Sequence, residues 1–280
     1  MRKIILIDTS YVCYYRFFAT LNWFKLANQD IYSKIEEKEK YDWSNDEIFM
    51  KTYKKMFFKS IEKLIGKKNI TDSKIIFCCD PGNCNLWRKN IYSDYKGTRP
   101  SMTLKHNIYP VFNLTLESII PELTETFPNN DIEIIKIQTI EADDIIATLC
   151  KYFCLKNEKA EIIILSADDD FTQLLNENVK IIDFRKKIFK EITKEESARL
   201  LIEKLINGDK SDNIASIFSK RQKKAFKLNL IENSNALLEF LENNKDAKDQ
   251  YLINQQLIDF NHIPEEITDS INSEIEHIEI

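Results

Sequence analysis

A chain of 280 residues, 43% hydrophobic and 30% charged, is long enough for one large or two modest domains with a substantial core. No run of 18 apolar residues occurs, so no helix is expected to cross a membrane, and an apolar run starting at Lys3 leaves no room for a signal peptide, which points to the cell interior. The net charge of −5 does not exclude a nucleic-acid partner, because the residues from Asp249 onward hold eight acids and no Lys or Arg, leaving residues 1–248 at +3.

Apolar β-branched runs predict strands at 3–8 (KIILID), 74–80 (KIIFCCD), 132–138, 161–166 and 179–183, with helical patterns between them. That alternation predicts an α/β fold with a mostly parallel, doubly wound central sheet. The charged, turn-rich segment Asn28 to Glu47 reads as a surface excursion rather than core, and from Thr193 to Phe260 the pattern is wholly helical, as for a second, smaller lobe. The cysteines Cys13, Cys78, Cys79, Cys84, Cys150 and Cys154 lie mostly in or beside apolar runs or on a helix face, which favours buried reduced thiols over a zinc site.

The strands share one feature: they end in acids. Asp8 and Asp80 follow the first two, Glu141, Asp143 and Asp144 (EADD) open a helix after the third, Asp168 and Asp170 (SADDD) follow the fourth, and Asp209 and Asp212 sit in GDKSDN. Buried parallel strands bring their carboxyl ends to one sheet edge, where α/β folds place their sites. Each acid alone is equally consistent with a turn or a helix cap. Acids stacked two and three deep at successive strand ends exceed what caps require. Crowded carboxylates repel unless cations stand between them, and hard divalent ions, Mg²⁺ or Mn²⁺, suit oxygen donors. Two such ions support hydrolysis of a phosphodiester.

Two basic blocks supply groups that would meet a polyanion. Residues Asn85 to Lys105 carry Arg88, Lys89, Lys96, Arg99 and Lys105 among Trp87, Tyr92 and Tyr95, a mixture suited to unpaired nucleic acid, although an exposed basic helix with inward aromatics has the same pattern. Lys220 to Lys227 holds five basic residues and no acid, including Lys220, Arg221, Lys223 and Lys224, and suits a duplex backbone or a solvated helix face.

Taken in order, LID, CD with downstream WR and YKGTR, EADD, SADDDFTQLL and LINGDKSDNIAS resemble the 5′-to-3′ exonuclease and flap endonuclease superfamily, closest to its bacteriophage RNase H branch, over about residues 2–270. The resemblance implies a PIN-like 5′-nuclease fold: an α/β nuclease domain over 1–192 with a helical arch at about 84–114, a helical duplex-binding lobe over 193–262, and an acidic tail over 263–280. It implies a structure-specific nuclease that uses two Mg²⁺ ions on DNA bearing a 5′ flap, nick or RNA primer in replication or repair. Asp8, Asp80, Glu141, Asp143 and Asp168 would surround the first ion with Asp144 nearby, while Asp170, Asp209 and Asp212 would serve the second. By the resemblance Arg88, Lys96 and Arg99 correspond to the arch cations that orient the scissile phosphate, Tyr95 would join them in contacting DNA, and Lys220, Arg221, Lys223 and Lys224 would grip the duplex. A monomer is expected, with a sliding clamp or single-strand-binding protein as partner by analogy, although no clamp-binding segment precedes the first strand.

Two departures stand out. Ile214 to Lys224 has no glycine where relatives carry a Gly-rich hairpin, and Asp169 stands where a Lys is usual. A PIN-like RNA endonuclease and a catalytically silent junction binder are the competing readings. The first would not need the arch or the late helices, and the second would be favoured by missing carboxylates.

Overall fold

The computed structural model describes residues 3–66, 70, 73–82, 85–97, 106–126 and 131–278. Its centre is a six-stranded sheet: β1 (Lys3–Asp8), β2 (Ser73–Cys79), β3 (Asp131–Lys136), β4 (Ile162–Leu165), β5 (Val179–Asp183) and β6 (Ile188–Phe189), in the order β3-β2-β1-β4-β5-β6. The first five strands are parallel and β6 is antiparallel to β5. Each expected strand is present to within two residues. The short β6, two residues long, offers no periodicity to read.

Alternation along β1 sends Ile4 and Leu6 into one core and Ile5 and Ile7 into the other. Against the second face pack α1 (Thr9–Ala27), α3 (Glu47–Ile65), α5 (Tyr109–Leu114) and α6 (Pro121–Thr126), the short α2 (Gln29–Lys34) and α4 (Arg88–Ile91) lying between them in sequence. The first face is covered by α7 (Ala142–Lys156) and the turn Asp170–Leu174. Fully burying one such aliphatic side chain contributes roughly 1.5–3 kcal/mol, so two dry faces hold the strand ends in fixed register.

The helical segment begins at a capping box, with Thr193 Oγ1 accepting from the Glu196 N–H and Glu196 Oε2 accepting from the Thr193 N–H. It contains α8 (Lys194–Asn207), α9 (Lys224–Glu232), α10 (Ser234–Asn243) and α11 (Lys245–Ile258). These enclose a small core of their own, among it Ile206, Leu230, Leu237 and Leu241.

Two expectations need correction. Asn28 to Glu47 is not wholly a surface excursion, because Trp43 is fully buried against Tyr41, Phe24 and Phe49. One aromatic anchors a segment whose charges dominate its composition. The expected acidic tail over 263–280 contains α12 (Glu265–Ile275), which buries Ile267, Ile271 and Ile275, four residues apart, in the core beside α7. The acids of α12 face outward, and the isoleucine spacing is what the charge count hid.

Candidate metal centre

The acids gather at the carboxyl edge of the sheet. Asp8 ends β1 and caps α1, its Oδ1 accepting the Tyr11 N–H at 3.1 Å, and its Oδ2 accepting from Ser166 Oγ, just beyond β4, at 2.9 Å. β1 and β4 flank the point where the strand order reverses, the crevice where such sheets bind ligands. Asp80 follows β2, and its Oδ1 accepts the Ala142 N–H at the start of α7 at 3.0 Å. Glu141 stands at the N-cap position of α7 without capping it; its carboxylate instead accepts from Arg88 Nη1 at 2.9 Å, from Tyr95 OH at 3.1 Å, and from Lys96 Nζ.

Crowding shows in the proton affinities. Burial pushes the Asp8 carboxyl up to about 7, helped by Asp80 and Asp168. Asp143 is held well above the usual carboxylate range by withdrawal from water, against the pull of Lys96 and with the push of Glu141, Asp80 and Asp168. Thus Asp8, Asp80, Glu141, Asp143 and Asp168 are linked electrostatically through Asp8 and Asp143.

Asp144 departs from that group. It is 0% exposed, and its carboxylate accepts from Arg88 Nη1 and Nη2 at 2.8 and 2.7 Å and from Trp87 Nε1 at 2.7 Å. Arg88, 3% exposed, also donates its Nε–H to the Leu257 carbonyl at 2.9 Å. The expectation that Arg88 orients a phosphate is therefore corrected: its guanidinium is engaged inside the protein, where it neutralises Asp144 and Glu141 and ties α4 to α11. Lys96 is less enclosed and lies between Glu141 and Asp212, whose Oδ2 is 4.0 Å from Nζ. Arg99 and Lys105 lie outside the described residues.

A second group forms where the turn after β4 meets the loop after α8. Lys204 Nζ bridges Asp170 at 2.5 Å and Asp209 at 2.8 Å. Burial and Asp168 raise the Asp170 carboxyl to about 6 against the opposing Lys204. For Asp209, burial is outweighed by hydrogen bonds from Lys204 and Ser211, which hold it at about 2. The loop turns sharply at Gly208, with φ +70°, where a Cβ would stand 2.3 Å from the Ile214 carbonyl oxygen. Asp212 accepts from Tyr95 OH at 3.2 Å, so Tyr95 links both acid groups. Asp169, beside them, is met by Lys190 at 2.8 Å, which lowers its carboxyl below the usual value.

Lys220, Arg221 and Lys223 are exposed on the loop that leads into α9, and Lys224 is exposed at the first residue of that helix. The bridging role of Lys204 was not anticipated from the sequence. A lysine in the last turn of a helix already has a reason to be there, the favourable helix dipole, which masks any other role.

Among the described residues no three His, Cys, Asp or Glu side chains are drawn into a cage around a single point. The donor set nevertheless fits hard divalent ions: it is all oxygen, it is crowded so that its carboxylates raise one another's proton affinity, and ammonium groups offset part of its charge. The five described cysteines are free thiols, four of them buried.

The sequence pattern of the family described as 5′-3′ exonuclease, N-terminal resolvase-like domain, matches residues 3–205. Ribonuclease H of Enterobacteria phage T4 is 29% identical over 221 residues, covering 73% of this chain and 70% of that protein. A 5′-3′ exonuclease of Bacillus subtilis is 30% identical over 163 residues, 55% of this chain and 51% of that one. The T5 D15 protein co-crystallised with metal ions superposes with a TM-score of 0.64 at 16% identity, covering 100% of both chains, a likeness of fold. A complex of the bacteriophage T5 D15 flap endonuclease with DNA and metal ions gives 0.63 at 17% identity over 99% of each chain. With its fold, its strand-end acids and its sequence pattern in agreement, the chain belongs to the 5′-3′ exonuclease family.

Proposed function

We propose that this chain is a divalent-metal-dependent, structure-specific 5′-nuclease that hydrolyses phosphodiesters of DNA or RNA–DNA at flaps, nicks or primer ends in replication or repair. One observation carries the reading: acids from β1, β2, the start of α7 and the end of β4 converge on one sheet edge, with Lys96 among them. Asp8, Asp80, Glu141, Asp143 and Asp168 would hold one ion and Asp170, Asp209 and Asp212 a second. Mg²⁺ or Mn²⁺ held by these carboxylates would supply activation of a water and charge stabilisation for the leaving oxygen.

The protein's own part is positioning. Ser166 and the Tyr11 N–H fix both Asp8 oxygens, and the Ala142 N–H fixes Asp80. Lys96, drawn between Glu141 and Asp212, is the described cation best placed to meet a phosphate, and Arg99 belongs to the same role by resemblance alone. The exposed Lys220, Arg221, Lys223 and Lys224 would grip duplex phosphates. A monomer working beside a sliding clamp or a single-strand-binding protein belongs to the same reading.

The test is cleavage of a 5′-labelled panel of single strand, nicked duplex, flap and RNA–DNA hybrid with Mg²⁺, Mn²⁺ or chelator. Metal-dependent release of short 5′ products from junctions is expected. Cleavage that survives chelation, or junction binding with no cleavage in any metal, rejects the reading.

A further inference from the structure

The two acid groups differ in what neutralises them. Among the described residues Asp8 and Asp80 accept hydrogen bonds only from a neutral hydroxyl and backbone amides, the Lys96 ammonium of that group pairing instead with Glu141. Asp170 and Asp209 come from different segments and are joined by one ammonium, Lys204 Nζ, at 2.5 and 2.8 Å. Lys204 is one-third exposed and borders a cavity of about 340 Å³ lined also by Gln173, Leu200, Glu203 and Asn207.

We propose that Lys204 is a placeholder cation: it holds Asp170 and Asp209 together without metal and weakens the affinity of that pair for a divalent ion, so the two metal positions fill at different concentrations. The inference rests on the two-metal reading above and deepens it. An entering ion needs the same carboxylate oxygens that the ammonium occupies, and it meets that positive charge at close range. Between Asp8 and Asp80 no ammonium among the described residues has to be displaced, and relief of repulsion favours the ion, whereas displacement of Lys204 opposes it at the Asp170–Asp209 pair. An ammonium on a flexible four-carbon stem can move aside, and the adjoining cavity with Glu203 on its wall is where it can go. A phosphodiester offers the ammonium another partner, so filling of the second position is tied to the arrival of substrate.

The experiment is a Mn²⁺ binding isotherm, read by calorimetry and by loss of the free-ion spin-resonance signal, on the full chain as wild type, Lys204→Met and Lys204→Arg. Two classes of site are expected in the wild type. In Lys204→Met the weaker class should tighten about tenfold or more while the tighter class stays in place. Lys204→Arg keeps the charge and should behave as wild type. Thermal melts in chelator establish that each variant is folded, with Lys204→Gln in place of the methionine variant should that one fail. An unchanged or weakened second class in a folded neutral variant overturns the inference and leaves Lys204 as an organiser of the loop. Absence of Mn²⁺ binding by the wild type overturns the two-metal reading itself, and the inference with it.

Discussion

The α/β body and the helical lobe hold their acids by different means. In the body, alternate residues of each central strand fill two dry cores, and the acids stand at the strand ends those cores fix. In the lobe the apolar core is small, a second cluster joins Leu205, Ile214, Leu257 and Ile258 to Tyr95 and Ile91, and polar bonds supplement both: Asn254 Nδ2 donates to the Leu205 and Ala215 carbonyls within the lobe, while Arg88 donates to Leu257 and Gln173 to Ile258 across the joint. Body acids are therefore set by packing, whereas Asp209 and Asp212 ride on a loop whose shape depends on a few hydrogen bonds. The body should tolerate no loss of an acid, and the lobe should tolerate some.

The largest effect is expected in rate. Asp80→Asn keeps an oxygen for the Ala142 N–H and so should leave the fold intact. Either it or Asp168→Asn should lower single-turnover cleavage of a 5′ flap by about 10³-fold or more, since charge stabilisation at the reacting phosphate is lost. Asp209→Asn, on the lobe loop, should cost at least tenfold less. Equal losses, measured at saturating metal, would break the distinction between body and lobe acids.

Next comes the joint between the two regions. Arg88→Met leaves Asp144 buried without its counter-charge and removes the link to Leu257, so unfolding in urea should show a loss of about 3–5 kcal/mol. A loss under 1 kcal/mol would mean that Asp144 takes a proton or finds water cheaply.

Residue by residue, the strand-end acids could be read from the sequence because a buried parallel strand is a continuous apolar run, and its end is visible wherever the run stops. The role of Arg88 could not, because its partner Asp144 is 56 residues away and a basic residue near aromatics reads equally well as a nucleic-acid contact. Lys204 and Asp170, 34 residues apart, present the same difficulty. Trp43 and α12 were obscured for another reason: surrounding charges outweighed a single aromatic and a spaced set of isoleucines. Local runs are legible in a sequence; pairings between distant segments are not.

A pH dependence separates the crowded group from the compensated one. The folded protein holds the Asp8 carboxyl at about 7, above its unfolded value, so without metal it retains a proton that the unfolded chain has released. Stability of the chelated protein should then fall as pH rises from about 4 through about 7 and level off beyond. Asp8→Asn removes this penalty while its amide oxygen still caps α1, so by pH 8 the variant should exceed wild type by up to about 4 kcal/mol. Parallel stability curves from pH 5 to pH 8 would show that the strain is relieved by other means. A smaller change is expected in the lobe, where Asn254→Ala leaves two carbonyls unpaired at a cost of about 1–3 kcal/mol, seen as earlier urea unfolding.

The smallest effect concerns the lobe's outer surface and tests whether it touches nucleic acid at all. Lys220, Arg221, Lys223 and Lys224 are exposed, in contrast to Lys227, whose ammonium bonds Asn207 and lies over the Phe218 ring. Exposed side-chain cations release counterions when they meet phosphates, so removing one cation that pairs with a phosphate should reduce the slope of log affinity against log salt by about 0.9. Neutralising all four should flatten that slope on a nicked or flapped duplex, leave a bare single strand largely unaffected, and leave the fold and the strand-end acids untouched. Titration at several salt concentrations decides the matter. An unchanged duplex slope would place these cations in solvent, and the lobe would then contribute to the site through Lys204 and the loop that carries Asp209 and Asp212.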